Sequence, residues 1–271
     1  MGKFDGMCLL SDMDGTIYDS QTKLPERNLN GIKYFIENGG RFALASGRSP
    51  ISIKSHKDEL LVNAPCVILN GCGVYDYDQQ RYVYTNFLDP AAKKAVVQLA
   101  EEFPMINTVI FRGDGSMIVN KSLETLPPCF DAKVVPGIID EDLGKYLNED
   151  WFKIVFVGLL DDLKNIEKRC ADIDIGAAET VFAGDDMFEF LPEHCSKGEG
   201  FRQMVKYLGF PIKKAFAIGD YYNDQEMLDY AGMSAACGQA PEDLKEHANF
   251  VACHCDEGAL GWFIEKLDSI Y

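Results

Sequence analysis

The chain has 271 residues, 47% of them hydrophobic, and its 26 Lys plus Arg against 43 Asp plus Glu give a net charge of −17. This length can bury a sizeable core and allows one or two domains. The acidic balance argues against nucleic acid and anionic membranes as partners, and no apolar run approaches the roughly 18 residues of a membrane span. We therefore expect a cytoplasmic protein.

The first part of the chain alternates buried strands with amphipathic helices, which predicts a parallel sheet. The strands are predicted from apolar runs at residues 8–10, 42–45 and 66–69. Pro25 can open the first helix, in which Leu29 and Ile32 lie at helical spacing. A second helix is predicted at about 51–61.

The pattern changes after residue 73, where short strands at 74–77 and 82–85 flank a polar turn and predict a hairpin. Residues 84–190 are predicted to form an inserted α+β domain with an antiparallel sheet. Its elements are predicted as a helix at 90–102, strands at 108–112 and 117–119, a strand near Lys133, a helix, a strand at 154–157, another helix, and a hairpin across 184–186.

The parallel sheet is predicted to resume after the insert. The elements are helices at 198–208 and 225–230, a strand at 215–218, and short strands near Met233 and Phe250. Residues 1–83 and 191–271 would thus form one discontinuous, doubly wound parallel core of five or six strands.

Two features near the C-terminus are interpreted structurally. The last predicted helix, 259–267, has an apolar stripe that favours packing over binding. The stripe consists of Leu260, Phe263, Ile264 and Leu267. The cluster Cys253, His254 and Cys255 can suggest zinc, but no second Cys/His pair at ligand spacing accompanies it, so we favour a buried strand.

Two carboxylates follow the first strand, in the segment Ser11, Asp12, Met13, Asp14, Gly15, Thr16. Residues two apart on a strand share a face, so Asp12 and Asp14 can be presented together at the strand's carboxyl end. That end is where open α/β sheets bind ligands. An acidic turn without chemistry is the alternative for this segment taken alone.

Three further segments supply groups suited to phosphate and Mg²⁺. They comprise Ser46, Gly47 and Arg48 after the second strand, Lys197 and Gly198 at a helix start, and Gly219, Asp220, Asn223 and Asp224 after the strand at 215–218. A hydroxyl, a flexible backbone and a helix N-terminus with an ammonium can bind phosphate oxygens. The hard oxygen ligands of the last segment suit Mg²⁺.

In this order the four segments resemble the four motifs of the haloacid dehalogenase superfamily of aspartate-nucleophile phosphatases, in the Cof-type subfamily with a class IIB cap. The resemblance covers most of the chain. It implies a Rossmann-like core with residues 84–190 as the α+β cap. It also implies Mg²⁺-dependent hydrolysis of a small phosphate monoester, such as a sugar phosphate, through an aspartyl-phosphate intermediate.

The resemblance also implies roles for individual residues. Asp12 would be the nucleophile, and Asp14 would protonate the leaving group and then activate water. Mg²⁺ would be bound by Asp12, Asp220 and the Asp14 backbone carbonyl, with Asp224 orienting this shell. The phosphate would contact Thr16, Ser46, Gly47, Lys197 and Asn223. The candidates for contact with the rest of the substrate are Arg48 and Asn70, both at strand ends.

Two alternatives remain open at this point. A phosphomutase of the same superfamily must bind two phosphates and needs a basic cap, whereas residues 84–190 contain ten Lys plus Arg against twenty Asp plus Glu. A non-catalytic sugar-phosphate-binding protein would not need these carboxylates together. The substrate, its cap contacts (Arg112, Asp185 and Asp186 lie near predicted turns) and the oligomeric state stay undetermined.

Overall fold

The computed structural model describes residues 2–271 and divides into two compact units. The first unit consists of the chain up to Gly47, Lys54–Tyr84 and Ser196–Tyr271. The second unit consists of Arg48–Ile53 and Thr85–Cys195. The predicted insert, 84–190, corresponds to most of the second unit, to which the short segment Arg48–Ile53 is added.

Strands and helices alternate along the first unit, and strands predominate in the second. The strands are β1 Cys8–Asp12, β2 Arg41–Ala45, β3 Cys66–Ile68, β4 Gly73–Asp76, β5 Arg81–Thr85, β6 Asn107–Arg112, β7 Met117–Val119, β8 Gly137–Ile139, β9 Trp151–Val157, β10 Ala178–Phe182, β11 Met187–Pro192, β12 Ala215–Gly219, β13 Met233–Ala236 and β14 Phe250–Val251. The α-helices are α1 Glu26–Glu37, α2 Pro50–Lys57, α3 Pro90–Glu102, α4 Leu160–Cys170, α5 Lys197–Leu208, α6 Gln225–Tyr230, α7 Glu242–Lys245 and α8 Ala259–Ile270. Within residues 2–271, no helix combines the length and the apolar character needed to cross a membrane.

Eight strands form one sheet in the order β14-β13-β12-β1-β2-β3-β4-β5. The six strands from β14 to β3 pair in parallel, as the sequence predicted, and β4 pairs antiparallel with β3. Every residue of β1 and β12 is buried. This burial explains why these strands have continuous apolar runs instead of alternating polar and apolar residues.

The two faces of this sheet are covered by different helices. Cys8 and Leu10 of β1 lie in one buried cluster with Phe201 and Met204 of α5. Helices α1 and α8 pack extensively on each other, and α1 also contacts β2. The predicted stripe of α8 is fully buried, so its interpretation as a packing surface is confirmed.

The second unit contains a six-stranded sheet in the order β10-β11-β9-β6-β7-β8. Its neighbouring strands pair antiparallel except for β7 and β8, which are parallel. Buried residues of α3 and α4 form a hydrophobic cluster with side chains of β6, β9 and β11. This unit has its own core, as an independent α+β layer structure requires.

The structure corrects two predicted elements of the second unit. The expected strand near Lys133 is a turn, because Asp131 has a left-handed φ of 49° and its carbonyl accepts from the backbone N–H groups of Val134 and Val135. The strand lies later, at β8. The helix expected next is only the 3-10 turn Leu143–Tyr146, preceded by a local hydrogen bond from Asp142 N to Asp140 Oδ1.

The predicted buried strand at residues 253–255 is also wrong. β14 ends at Val251, and a 3-10 turn spans Cys255–Glu257. The His254 side chain accepts from the backbone N–H of Asp256, which satisfies the start of this turn. Such local side-chain to backbone bonds compete with strand pairing and are invisible to apolar periodicity.

Gly261 lies where α8 packs tightly on α1, since a Cβ there would lie 2.5 Å from the Arg27 carbonyl oxygen. We predict that Gly261→Ala destabilises the protein by about 1–3 kcal/mol through overpacking, although Ala is the better helix former by about 1 kcal/mol. Chemical denaturation measures this difference. Ser269→Ala, at an exposed position of the same helix, is the control and should change stability little. A Gly261→Ala protein as stable as the parent would show that the helices separate freely here.

Candidate active site

The carboxyl ends of the central parallel strands lie side by side at one edge of the sheet. Asp12, the last residue of β1, pairs with Ala45 at the end of β2, and Ala45 pairs with Val67 of β3. On the other side, Ser11 pairs with Ile218 of β12. Loops that leave these strands therefore begin next to one another, although their sequences are far apart.

Helix α5 brings an ammonium group to the same edge. Ser196 caps the helix by accepting from Glu199 N at 3.0 Å, so Lys197 is the first helical residue. A Cβ on Gly200 would overlap Val67 of β3, and one on Gly71 would overlap the Ser196 carbonyl. These glycines let the start of α5 pack directly against β3 and the turn that follows it.

Lys197 bridges two buried carboxylates. Its Nζ donates to Asp12 Oδ1 at 2.6 Å and to Asp224 Oδ1 at 2.6 Å. Asp224 Oδ2 in turn accepts from the backbone N–H groups of Asp220 and Tyr221, at 2.9 and 3.2 Å. Lys197 and Asp224 are fully buried and Asp12 nearly so. Buried charges of this kind require paired and hydrogen-bonded partners.

Asp220 adds a third carboxylate. Thr16 Oγ1 donates to its Oδ1, and Gln239 Nε2 lies at the same distance of 3.5 Å from its Oδ2. Gly15 has a left-handed φ of 82°, and a Cβ there would overlap Asp220 Oδ2. The glycine is therefore needed both for the turn after β1 and for the approach of Asp220.

Burial in this cluster shifts the pKa values of Asp12, Asp220 and Lys197. Desolvation, followed by the charges of Asp224 and Asp220, raises the pKa of Asp12 to about 8, although Lys197 opposes this rise. Desolvation and the charge of Asp224 raise the pKa of Asp220 to about 6. Although burial alone would lower it, the pKa of Lys197 is raised by Asp12 and Asp224. The cluster therefore carries more negative charge than one ammonium can neutralise.

This donor set suits a hard divalent cation. Asp12, Asp220 and Asp224 each offer an oxygen within 4.8 Å of the others. An all-carboxylate set matches the ligand preference of Mg²⁺, and a bound cation would neutralise the excess charge. The side chain of Asp14 is not part of this cluster and is exposed. Metal binding by its backbone carbonyl stays a prediction.

The predicted phosphate-binding residues of the second and fourth segments lie near one another. Ser46 is nearly buried, and its carbonyl accepts from Asn70 N at 3.0 Å. Asn70 has a left-handed φ of 57°, and its Oδ1 accepts from Asn223 Nδ2 at 3.4 Å. A Cβ on Gly47 would lie 3.1 Å from the same Oδ1. Asn70 therefore links the turn after β2 with the loop after β12.

Two predicted residues have surroundings that the motifs did not indicate. Arg48 belongs to the second unit, where it forms an ion pair with Asp131 at 2.8 Å. Thr16 is fully buried, with Asp220 on one side and the Cys237 thiol 3.6 Å away on the other. Contact of either residue with a phosphorylated ligand stays a prediction.

Gln239 is a site residue that the sequence analysis missed. Its Nε2 donates to the Gly15 carbonyl at 2.5 Å, and its Oε1 accepts from Cys255 N at 3.1 Å. It follows β13, which ends at Ala236 next to β12. Ligands bind at the carboxyl ends of parallel strands, and β13 was a predicted parallel strand. The loop after β13, which carries Gln239, was therefore identifiable from the sequence.

Several known proteins are similar to this chain over almost its whole length. A family model described as haloacid dehalogenase-like hydrolase matches residues 9–264. The YkrA protein of Bacillus subtilis (strain 168) is 28% identical over 266 residues, covering 97% of this chain and 98% of that protein. The HMP-PP phosphatase of Enterobacter sp. (strain 638) is 26% identical over 257 residues, covering 93% of this chain and 92% of its own length.

Solved structures share the fold. The structure of the HAD subclass IIB sugar phosphatase BT4131 superposes with a TM-score of 0.78 at 18% identity, covering 97% of this chain and 99% of that one. This likeness confirms the predicted fold class, an α/β parallel-sheet core with an inserted α+β cap. At this identity it carries information about the fold alone.

We predict that Lys197→Met destabilises the metal-free protein by about 3–5 kcal/mol, because it leaves Asp12 and Asp224 buried without a counter-charge. Lys206→Met, at an exposed position of the same helix, is the matched control and should cost little. Denaturation with chelator present measures both.

The loss of folding stability in Lys197→Met should also depend on pH. The folded-state pKa of Asp12, about 8, lies above its unfolded value, so its contribution to stability is full at low pH and falls as the pH rises towards 8. Without Lys197 that pKa rises further, so the loss of folding stability in Lys197→Met should be smaller at pH 5 than at pH 8. An equal loss of stability at both pH values would contradict the view that the Lys197 charge stabilises ionised Asp12.

Proposed function

The chain belongs to the haloacid dehalogenase-like hydrolases and is a phosphatase of small phosphorylated metabolites, and on this premise we propose that Asp12 is its nucleophile. Asp12 would attack the phosphorus of a phosphate monoester and form an aspartyl-phosphate, which water then hydrolyses. The observation that carries this proposal is the buried Lys197 bridge between Asp12 and Asp224, with Asp220 beside it.

The geometry supports a nucleophilic role for Asp12. Its bond to Lys197 fixes the carboxylate orientation, and its position at the end of a fully buried strand leaves little freedom of movement. A positioned nucleophile in a site of low dielectric constant reacts without the cost of reorganising solvent. The Lys197 ammonium would also attract the anionic phosphate and contact its oxygens.

Asp12, Asp220 and Asp224 would bind Mg²⁺, which when bound neutralises charge on the phosphoryl group and on the attacking carboxylate. Asp224 is oriented by two backbone N–H groups, whereas Asp220 is oriented by Thr16 and Gln239. We therefore assign Thr16 and Gln239 to the positioning of Asp220. Ser46, Gly47 and Asn223 are proposed to bind the phosphate oxygens.

Asp14 is proposed as the general acid and base. It lies two residues after Asp12, and it is exposed whereas Asp12 is buried. A group that protonates a leaving alkoxide and then takes a proton from water must be accessible to both. The different surroundings of the two carboxylates thus support different roles, nucleophile for the buried one and proton transfer for the exposed one.

The substrate is proposed to be a small monoester with one phosphate, with sugar phosphates among the first candidates. The names of similar proteins include a sugar phosphatase and an HMP-PP phosphatase. Five cations of the second unit form ion pairs with its own carboxylates, which leaves these five less suited to a second phosphate. These ion pairs are Arg48 with Asp131, Arg112 with Glu149, Lys145 with Asp140, Lys153 with Glu189, and Arg169 with Glu102. This pairing favours the phosphatase over the phosphomutase.

Asp12→Asn is predicted to lower kcat at least about 1,000-fold on every phosphate ester, because an amide is a poor nucleophile. The test is turnover of a panel of sugar phosphates, nucleotides and aryl phosphates with Mg²⁺, with mass spectrometry of rapidly quenched wild-type enzyme to locate the phosphorylated residue. Asp58→Asn, an exposed acid of the first unit, is the control. A phosphate found on another residue would reassign the nucleophile.

Asp14→Asn is predicted to affect esters according to their leaving group. Sugar phosphates, whose alkoxide must be protonated as it departs, should lose far more kcat than aryl phosphates, whose leaving oxygen needs little protonation. Steady-state kinetics on both ester classes measures the ratio. Equal losses on the two classes would rule out Asp14 as the general acid.

A further inference from the structure

Three consecutive side chains after β14 lie close together, apart from the carboxylate cluster. His254 Nδ1 lies 3.6 Å from Cys255 Sγ and 3.3 Å from Asp256 Oδ2. Cys255 Sγ lies 3.7 Å from Asp256 Oδ1. An imidazole nitrogen, a thiol sulfur and a carboxylate thus lie within the separations found between ligands of one metal ion, with the imidazole nearer to one carboxylate oxygen and the thiol nearer to the other.

These separations are close to those between the ligands of a tetrahedral zinc site. With Zn–S bonds of about 2.3 Å and Zn–N and Zn–O bonds of about 2.0 Å, tetrahedral angles place S and N about 3.5 Å apart, S and O about 3.5 Å, and N and O about 3.3 Å. We propose that His254, Cys255 and Asp256 form a binding site for Zn²⁺ or a similar thiophilic divalent metal. We refer to these three residues as the tripod.

The donor chemistry distinguishes the tripod from the cluster around Asp12. A thiolate with an imidazole selects Zn²⁺ and its neighbours in the transition series, whereas an all-oxygen set suits Mg²⁺. The imidazole also has the correct tautomer. His254 Nδ1 accepts from the backbone N–H of Asp256 at 3.2 Å, so it carries a lone pair and no proton, and a metal bound there would take the place of this N–H donor.

Hydrogen bonds from outside the tripod fix two of its members. Asp256 Oδ1 accepts from Ser20 N at 2.8 Å, and Cys255 N donates to Gln239 Oε1 at 3.1 Å. Bonds of this kind orient ligands before a metal arrives. Through Gln239 the tripod is also connected to the loops that carry Gly15 and Asp220.

The tripod is accessible to an ion from solvent. The side chains of His254 and Asp256 are 42% and 48% exposed, whereas Cys255 is buried. Three protein ligands and an exposed side leave the fourth tetrahedral position for water. Burial, followed by the charge of Asp256, raises the pKa of the Cys255 thiol, so metal binding must displace its proton.

Cys253 is not a member of this site, although it lies next to it in sequence. Its Sγ accepts from the Arg27 guanidinium at 3.6 Å and so faces α1. The ligand set is therefore His254, Cys255 and Asp256, and not the Cys253, His254 and Cys255 grouping that the sequence suggested. Cys253 offers a matched control because it is a neighbouring thiol outside the tripod.

The test is titration of the full-length protein with Co²⁺, a spectroscopic substitute for Zn²⁺, in excess Mg²⁺ to fill the carboxylate cluster. We expect one equivalent to produce a sulfur-to-cobalt charge-transfer band, which the carboxylate cluster cannot produce because it has no thiol, and Zn²⁺ should abolish the band. Cys255→Ser should remove the band, and Asp256→Asn should weaken Co²⁺ binding at least about tenfold.

Cys253→Ser should leave both the band and the affinity unchanged. Thermal unfolding without metal checks that each variant is folded, and Cys255→Ser is nearly isosteric. A wild-type protein with no charge-transfer band, or a band that is lost in Cys253→Ser and kept in Cys255→Ser, would overturn the proposal.

Discussion

The candidate active site depends on one interaction, the hydrogen-bonded ion pairs of the buried Lys197 ammonium group with Asp12 and Asp224. A buried charge is tolerated only with paired and hydrogen-bonded partners, so the start of α5, the end of β1 and the loop after β12 must meet within hydrogen-bonding distance. The glycines at the start of α5 and in the turn after β3 permit this approach. The parallel order of the sheet places all three segments at one edge.

The same charge arrangement prepares the site for its chemistry. Burial, together with the excess negative charge of three carboxylates beside one lysine, raises the pKa of Asp12 and Asp220, and this excess charge would favour a bound cation. Asp14, two residues from Asp12, is exposed instead. One short segment therefore presents two chemically identical side chains in different environments, which supports the different roles proposed for them.

Gln239 connects this site with the tripod. Its amide contacts the Gly15 carbonyl and Asp220 on one side and the backbone of Cys255 on the other. The two candidate cation sites differ in donor atoms, with oxygen alone around Asp12 and nitrogen, sulfur and oxygen at the tripod. This difference in hardness would allow the protein to bind two kinds of metal ion without exchanging them.

Apolar runs and the polar residues that follow them were enough to predict five or six parallel strands and helix α3, and with the family resemblance they also predicted the grouping of Asp12 with Asp220 and Asp224, because buried strands and their ends leave a direct pattern in sequence. The turns at Lys133 and Cys255 were not predictable in this way, since they depend on local hydrogen bonds to the Asp131 carbonyl and to the His254 side chain. Only the tertiary structure decided that Gln239 reaches Asp220, because this contact joins separate loops. A local pattern records which residues are buried, but the partner of a polar side chain depends on how distant segments pack.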